Sequence, residues 1–221
     1  MWNDILVVPI GYLLGGIPFS YIIARLRAGM DIREHGEGNV GARNVFHVVG
    51  PVWGALAALL DTGKGLATCL IARWLGASEL AVALCGVAAP LGHNFSPYLR
   101  FQGGKGVSVT MGFLFGYLPR STLAGAALIL LVLALTRDVN KALVFGLPGV
   151  VLSPLAFGEP WWKALYTMSL FLLLALKKII DRSHEQAVWA RDPWDDGQPG
   201  FHQGPPTEAA DAPHPTEQTG R

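Results

Sequence analysis

Two glycine-rich polar stretches carry the groups in this chain that are best suited to holding an anion. One reads Gly36-Glu37-Gly38-Asn39-Val40-Gly41-Ala42-Arg43-Asn44, and the other extends from Gly92-His93-Asn94 to Gly103-Gly104-Lys105-Gly106. Glycine lets successive backbone N–H groups turn toward one point, and such a nest beside a lysine suits phosphate. In the second stretch Lys105 stands where an apolar run opens at Val107, so a point charge and free amides coincide at a helix start. Walker spacing and a preceding strand are both missing, which excludes a nucleotide P-loop. In the first stretch Asn39, Arg43 and Asn44 offer donors, and small residues such as Gly41 permit close backbone approach. Its other reading is an ordinary polar connecting loop.

Further titratable groups lie near these stretches or inside apolar runs. Asp61 and Lys64 are three residues apart within an apolar segment, hence on one helical face, where charge is costly unless paired or facing water. The pair either orients its helix or lets Lys64 reach phosphate directly. His93 is a candidate for proton handling or for organising its loop; His35 and His47 are open to the same two readings. There is no Gly-x-Ser-x-Gly elbow, and Cys69 and Cys85 have neither a supporting histidine motif nor metal-ligand spacing. The two thiols read as packing groups, and no metal site is expected.

These residues sit in a chain of 221 residues that is 51% hydrophobic and 15% charged. Its mean hydropathy is +0.37. That composition predicts an all-α polytopic membrane bundle of about seven transmembrane helices. The expected segments are Ile5 to Leu26, Val52 to Leu75, Leu80 to Leu91, Val107 to Leu118, Thr122 to Thr136, Ala142 to Phe157 and Trp161 to Ile180. The third and fourth are short enough to be half-helices meeting at the polar loop between them. The first lacks a basic leader and reads as a retained span rather than a signal peptide. Arg25, Arg27, Arg33, Arg43, Lys105, Lys177 and Lys178 fall on one side of this arrangement, against Arg73, Arg120 and Lys163 on the other. The positive-inside rule then places the N-terminus outside, the C-terminus inside and both glycine stretches on the cytoplasmic face. A membrane domain over 1–182 and a tail over 183–221 follow, the tail mostly disordered beyond about Pro199, with Trp189 and Trp194 as interfacial anchors. The net charge of +1 gives no argument for nucleic-acid binding.

Taken together, Gly15 to Tyr21, Asp31-Ile32-Arg33, Gly38 to Ala42, Asn44-Val45, Leu60-Asp61, Lys64-Gly65, Gly92-His93 and Phe101 to Val107 resemble the bacterial integral membrane glycerol-3-phosphate acyltransferases that use acyl-phosphate donors. The resemblance is close over roughly the first half and rests on hydrophobicity alone in the later spans. It implies a seven-helix bundle in the cytoplasmic (inner) membrane with a pocket on its cytoplasmic side. It implies acyl transfer from acyl phosphate to the 1-hydroxyl of glycerol 3-phosphate, giving lysophosphatidic acid and phosphate without a cofactor. By the same resemblance Lys105 and His93 are the catalytic candidates. Asn39, Gly41, Arg43, Asn44, Gly103, Gly104, Gly106 and Val107 are candidates for phosphate or acceptor binding, with Arg33, His47, Asp61 and Lys64 as charge support. Glu37, Arg43 and His47 stand where the family usually has Ser, Thr and Arg, and Leu176 to Arg182 replaces its third motif, of which His184-Glu185-Gln186 is a displaced echo. The alternative expectation is a non-catalytic membrane protein that binds or transports a phosphorylated lipid or metabolite through the same pocket.

Overall fold

Pro18 has no backbone N–H to donate, and it divides the first apolar run into α1 (Trp2–Gly16) and α2 (Phe19–Ala28). The expected single segment is therefore two helices meeting at Ile17-Pro18, and the Ile17 carbonyl is left open to a side chain from elsewhere. The computed structural model describes residues 2–192. After α2 come α3 (Ala42–Val48), α4 (Pro51–Trp74), α5 (Glu79–Asn94), α6 (Val107–Tyr117), α7 (Pro119–Thr136), α8 (Val139–Ala156) and α9 (Trp161–Arg191). Two short 3-10 turns, Ile32–Glu34 and Pro97–Leu99, complete the elements, and there is no strand among the described residues.

Four stretches are long and apolar enough to cross a membrane: Trp2–Ala28, Pro51–Trp74, Pro119–Thr136 and Val139–Ala156. Helix α6 is apolar but shorter. The main pairings are α1 with α5, α4 with α6, and α7 with α8. Small residues permit these close crossings: a Cβ on Gly15 would overlap the Ala89 backbone, and one on Gly65 would overlap the Val109 carbonyl oxygen. Such contacts drive helix association where lipid is as apolar as the side chains. Cys69, Cys85, Phe113, Leu114 and Leu170 share one buried cluster, while Ile23, Ile32, Val40, Val45 and Leu99 form a second beneath the first glycine stretch. Both cysteines are free and buried.

Helix α9 passes through residue 182 and ends only at Arg191. Its final turns are held by the first glycine stretch. Val188 packs on Gly38, Arg191 Nη2 is 3.2 Å from Glu34 Oε2, and His35 Nδ1 is 2.6 Å from Asp192 Oδ2. Residues 183–191 of the tail expected from the sequence, Trp189 among them, are thus helical, whereas Trp194 and the stretch beyond Pro199 lie outside the described residues.

Candidate functional site

The first glycine stretch is built around Asn44. This fully buried residue on α3 donates through Nδ2 to the carbonyls of Ile32, His35 and Asn39 at 3.0, 2.9 and 3.0 Å. Its Oδ1 accepts the Glu37 amide at 2.9 Å. Asn44 thus holds the loop closed and has no donor left for a ligand. Helix α3 starts at Ala42, immediately after Gly41, as the small residues there allow. Upstream, Asp31 accepts from the Arg33 amide at 3.1 Å and from Arg33 Nε at 2.9 Å. These hydrogen bonds from Arg33 hold the Asp31 carboxyl below its ordinary value. Arg33 also donates to Gln102 Oε1 at 3.0 Å, which ties the first stretch to the second.

The second stretch differs in one respect from its expected form, because Gly92, His93 and Asn94 belong to the last turns of α5. The chain then doubles back. Gly103 donates to the Asn94 carbonyl and Gly104 to the His93 carbonyl, each at 3.1 Å. A Cβ on Gly104 would overlap both the Val40 carbonyl oxygen and His93 Nε2, so only glycine lets the two stretches touch here. Gly106, with φ of 81°, turns the chain into α6, whose first residue is Val107.

Lys105 is the residue on which the two stretches converge. Its Nζ lies 3.0 Å from Glu185 Oε1 on α9 and 3.7 Å from Glu37 Oε2. Asn39 Nδ2 donates to Glu37 Oε2 at 3.0 Å and to Glu185 Oε1 at 3.4 Å. Arg43 Nη1 is 3.3 Å from Glu37 Oε1 and 3.0 Å from Asn140 Oδ1. Two carboxylates are thereby balanced by two cations, and Arg43 rather than Arg33 neutralises Glu37. Lys105 keeps a quarter of its side-chain surface open, enough for an incoming anion to reach it. Beside this cluster, a cavity of about 510 Å³ is lined by Tyr21, Arg33, Tyr98, Leu99, Arg100 and Gln102. His47 sits on α3 with its ring edge-on to Phe46.

Behind the second stretch a chain of buried polar groups crosses the bundle. Ser20 Oγ donates to Asp61 Oδ2 at 3.3 Å, and Asp61 Oδ1 is 2.8 Å from Lys64 Nζ. Lys64 also donates to the Ile17 carbonyl, left open by the break at Pro18, at 2.6 Å and approaches His93 Nδ1 at 3.0 Å. The expected Asp61–Lys64 pair is present on one face of α4. Its extension to His93 was not expected, because the link depends on the break at Pro18 and on the crossing of α4 with α5. Glu185 was also undervalued. It reaches Asn39 across 146 residues, and the only signal was an acidic residue in the echo of the third motif. A further pair, Lys177 with Asp181, lies one helical turn farther up α9.

Comparison with known proteins gives a consistent result. The family model described as glycerol-3-phosphate acyltransferase matches residues 5–186. A relative of that name from Desulforudis audaxviator is 42% identical over 176 residues, covering 78% of this chain and 87% of the relative. One from Pseudomonas aeruginosa strain UCBPP-PA14 is 39% identical over 155 residues, covering 70% and 82%. Among solved structures, PlsY (YgiH), an integral membrane glycerol 3-phosphate acyltransferase in its glycerol 3-phosphate form, superposes with a TM-score of 0.74 at 29% identity, covering 87% of this chain and 95% of that one. Its lysophosphatidic acid form gives 0.71 at 29% identity, covering 86% and 94%. The match through residue 186 takes in the part of α9 that brings Glu185 to Lys105, so sequence and site geometry agree that the chain belongs to the glycerol-3-phosphate acyltransferase family.

Proposed function

We propose that this protein transfers a fatty acyl group from acyl phosphate to the 1-hydroxyl of glycerol 3-phosphate, forming lysophosphatidic acid and inorganic phosphate. The observation that carries this reading is the convergence of both glycine stretches on one accessible lysine in a chain of this family. In the reaction the acceptor oxygen attacks the acyl carbon, the bond from that carbon to the phosphate oxygen breaks, and the hydroxyl proton leaves with phosphate. Lys105 and the amides near Gly103, Gly104 and Gly106 hold the donor phosphate and stabilise the charge that develops as it departs. Asn39 and Arg43 contact phosphate or acceptor, exchanging contacts with Glu37 and Glu185 for contacts with substrate. Asn44 serves by holding its loop closed, and Val107 by starting α6 behind the lysine. The cavity beside Gln102, with the exposed Arg100, suits entry of an anionic acceptor. The apolar helix faces hold the acyl chain, and proximity does much of the rest.

The same reading places the chain in the cytoplasmic membrane. Helices α5, α6 and the apolar first part of α9 join the four longer stretches to make seven crossings, with the N-terminus outside and both glycine stretches facing the cytoplasm. The rival of a non-catalytic binding or transport protein is not favoured, since the matched relatives and solved structures are acyltransferases by name. The test is phosphate release from palmitoyl phosphate by the detergent-purified protein, with and without glycerol 3-phosphate, the lipid product being weighed by mass spectrometry. Acceptor-dependent release with lysophosphatidic acid formed is expected. Release that ignores the acceptor, or none from folded protein, overturns the proposal.

A further inference from the structure

The buried chain behind the glycine stretches has a consequence for His93. Lys64 Nζ has three neighbours at bonding distance: the Ile17 carbonyl at 2.6 Å, Asp61 Oδ1 at 2.8 Å and His93 Nδ1 at 3.0 Å. An ammonium group has three protons and no lone pair, so it only donates. Three acceptors around one Nζ, one of them a carboxylate, fit that inventory. The ring nitrogen that faces Lys64 must then accept, and the imidazole proton must sit on Nε2. Asp61 offers no competing partner for a proton on Nδ1, because that nitrogen is 3.9 Å from Asp61 Oδ1.

The other side of the ring faces the glycine turn. His93 Nε2 stands against Gly104, whose amide donates to the His93 carbonyl, and no hydrogen bond to Nε2 is formed among the described residues. The imidazole is thus gripped on its Nδ1 side by a membrane-buried cation and presented on its Nε2 side to the turn that precedes Lys105. We infer that Lys64, anchored by Asp61 and the Ile17 carbonyl, is a positioning residue that fixes His93 as the Nε2–H tautomer, so that His93 donates a hydrogen bond to a phosphoryl oxygen held at the glycine turn. Lys64 touches no substrate in this arrangement; it acts through the ring, as partners that orient functional histidines do elsewhere. The assignment of a substrate oxygen as the acceptor rests on the proposed function, whereas the tautomer rests on geometry alone.

Nitrogen NMR of protein labelled with ¹⁵N-histidine separates the two. His93→Gln identifies the His93 signals, and inorganic phosphate serves as the probe. The expected spectrum has a protonated Nε2 and an unprotonated Nδ1 accepting a hydrogen bond, and phosphate should shift Nε2 while leaving Nδ1 nearly still. Because either single charge deletion threatens folding, Lys64 is tested as the neutral double variant Asp61→Asn, Lys64→Met. There the Nδ1 signal should move toward that of a free pyridine-type nitrogen, and kcat should fall roughly 10-fold, the size typical of losing a partner that orients a histidine. His93→Gln, whose amide can donate from near the Nε2 position, should retain far more kcat than His93→Leu. A proton on Nδ1, an Nε2 signal unmoved by phosphate, or equal activities of the Gln and Leu variants overturns the inference. If the spectra are as expected but the parent transfers no acyl group, the proposed function fails and the tautomer assignment stands.

Discussion

Removing both charges of the Asp61–Lys64 pair should cost clearly less than the sum of removing each alone. The ions lie 2.8 Å apart with side chains only 2% and 3% exposed, in the middle of α4. At an effective dielectric of about 20 their attraction is roughly 6 kcal/mol. Stripping water from two ions costs several kcal/mol each, so the net worth of the intact pair is small. A single deletion loses the attraction and leaves the other ion buried without its counter-charge, for which about 3–5 kcal/mol of destabilisation is expected. Asp61→Asn preserves shape and the contact to Ser20, and Lys64→Met preserves most of the stem, so packing changes are minimal. The double variant still leaves the Ile17 carbonyl and His93 Nδ1 without their donor, at about 1–3 kcal/mol each, so it should be destabilised by clearly less than the two single losses summed, giving a favourable coupling in the double-mutant cycle. Unfolding of the four proteins by titration with dodecyl sulfate in mixed micelles provides the free energies. Single variants within about 1 kcal/mol of the parent would refute the claim that this pair is a dry, mutually dependent contact.

Three other outcomes follow from the geometry. Gly104→Ala should leave the bundle folded but abolish most turnover, because the new methyl meets both the Val40 carbonyl and His93 Nε2; full activity would show that the two stretches need not touch. Asn44→Leu removes four hydrogen bonds at a fully buried position, and at about 0.5–1.5 kcal/mol each it should cost roughly 3 kcal/mol and loosen residues 32–39, measured by unfolding and amide exchange. The Asp31–Arg33 contact should weaken with acid. Since folding lowers the Asp31 pKa, its contribution is fully present above the ordinary carboxylate value and disappears as pH falls through the lower native one, so amide exchange around Arg33 should accelerate only in that acidic window, and Asp31→Asn should remove the dependence.

Local pattern made much of this molecule readable in advance. Apolar runs announced α4 through α8 to within a few residues, and the start of α9, because a span must be long, apolar and internally hydrogen-bonded whatever its surroundings. Spacing alone put Asp61 and Lys64 on one face. The glycine turn before Lys105 was equally visible, since glycine marks places where backbone must pass close or turn left-handed. What escaped depends on tertiary approach. The Ile17 carbonyl became a ligand for Lys64 only because Pro18 breaks the helix and α4 passes beside the break. Asn44, read as a ligand donor, proved to be engaged by its own loop, a distinction that residue type cannot make. Glu185 gained its place opposite Lys105 because α9 continues past Arg182 and lies along the first glycine stretch.

The central claim is that Lys105, where the two stretches meet, holds the phosphate of the reacting donor. The most direct measurement compares glycerol-3-phosphate-dependent turnover of palmitoyl phosphate by the parent and by Lys105→Ala at equal amounts of folded protein. A fall in kcat of about 10²–10³-fold is predicted, the size of losing one donor to developing negative charge. Turnover within a few-fold of the parent would place the chemistry elsewhere in the molecule.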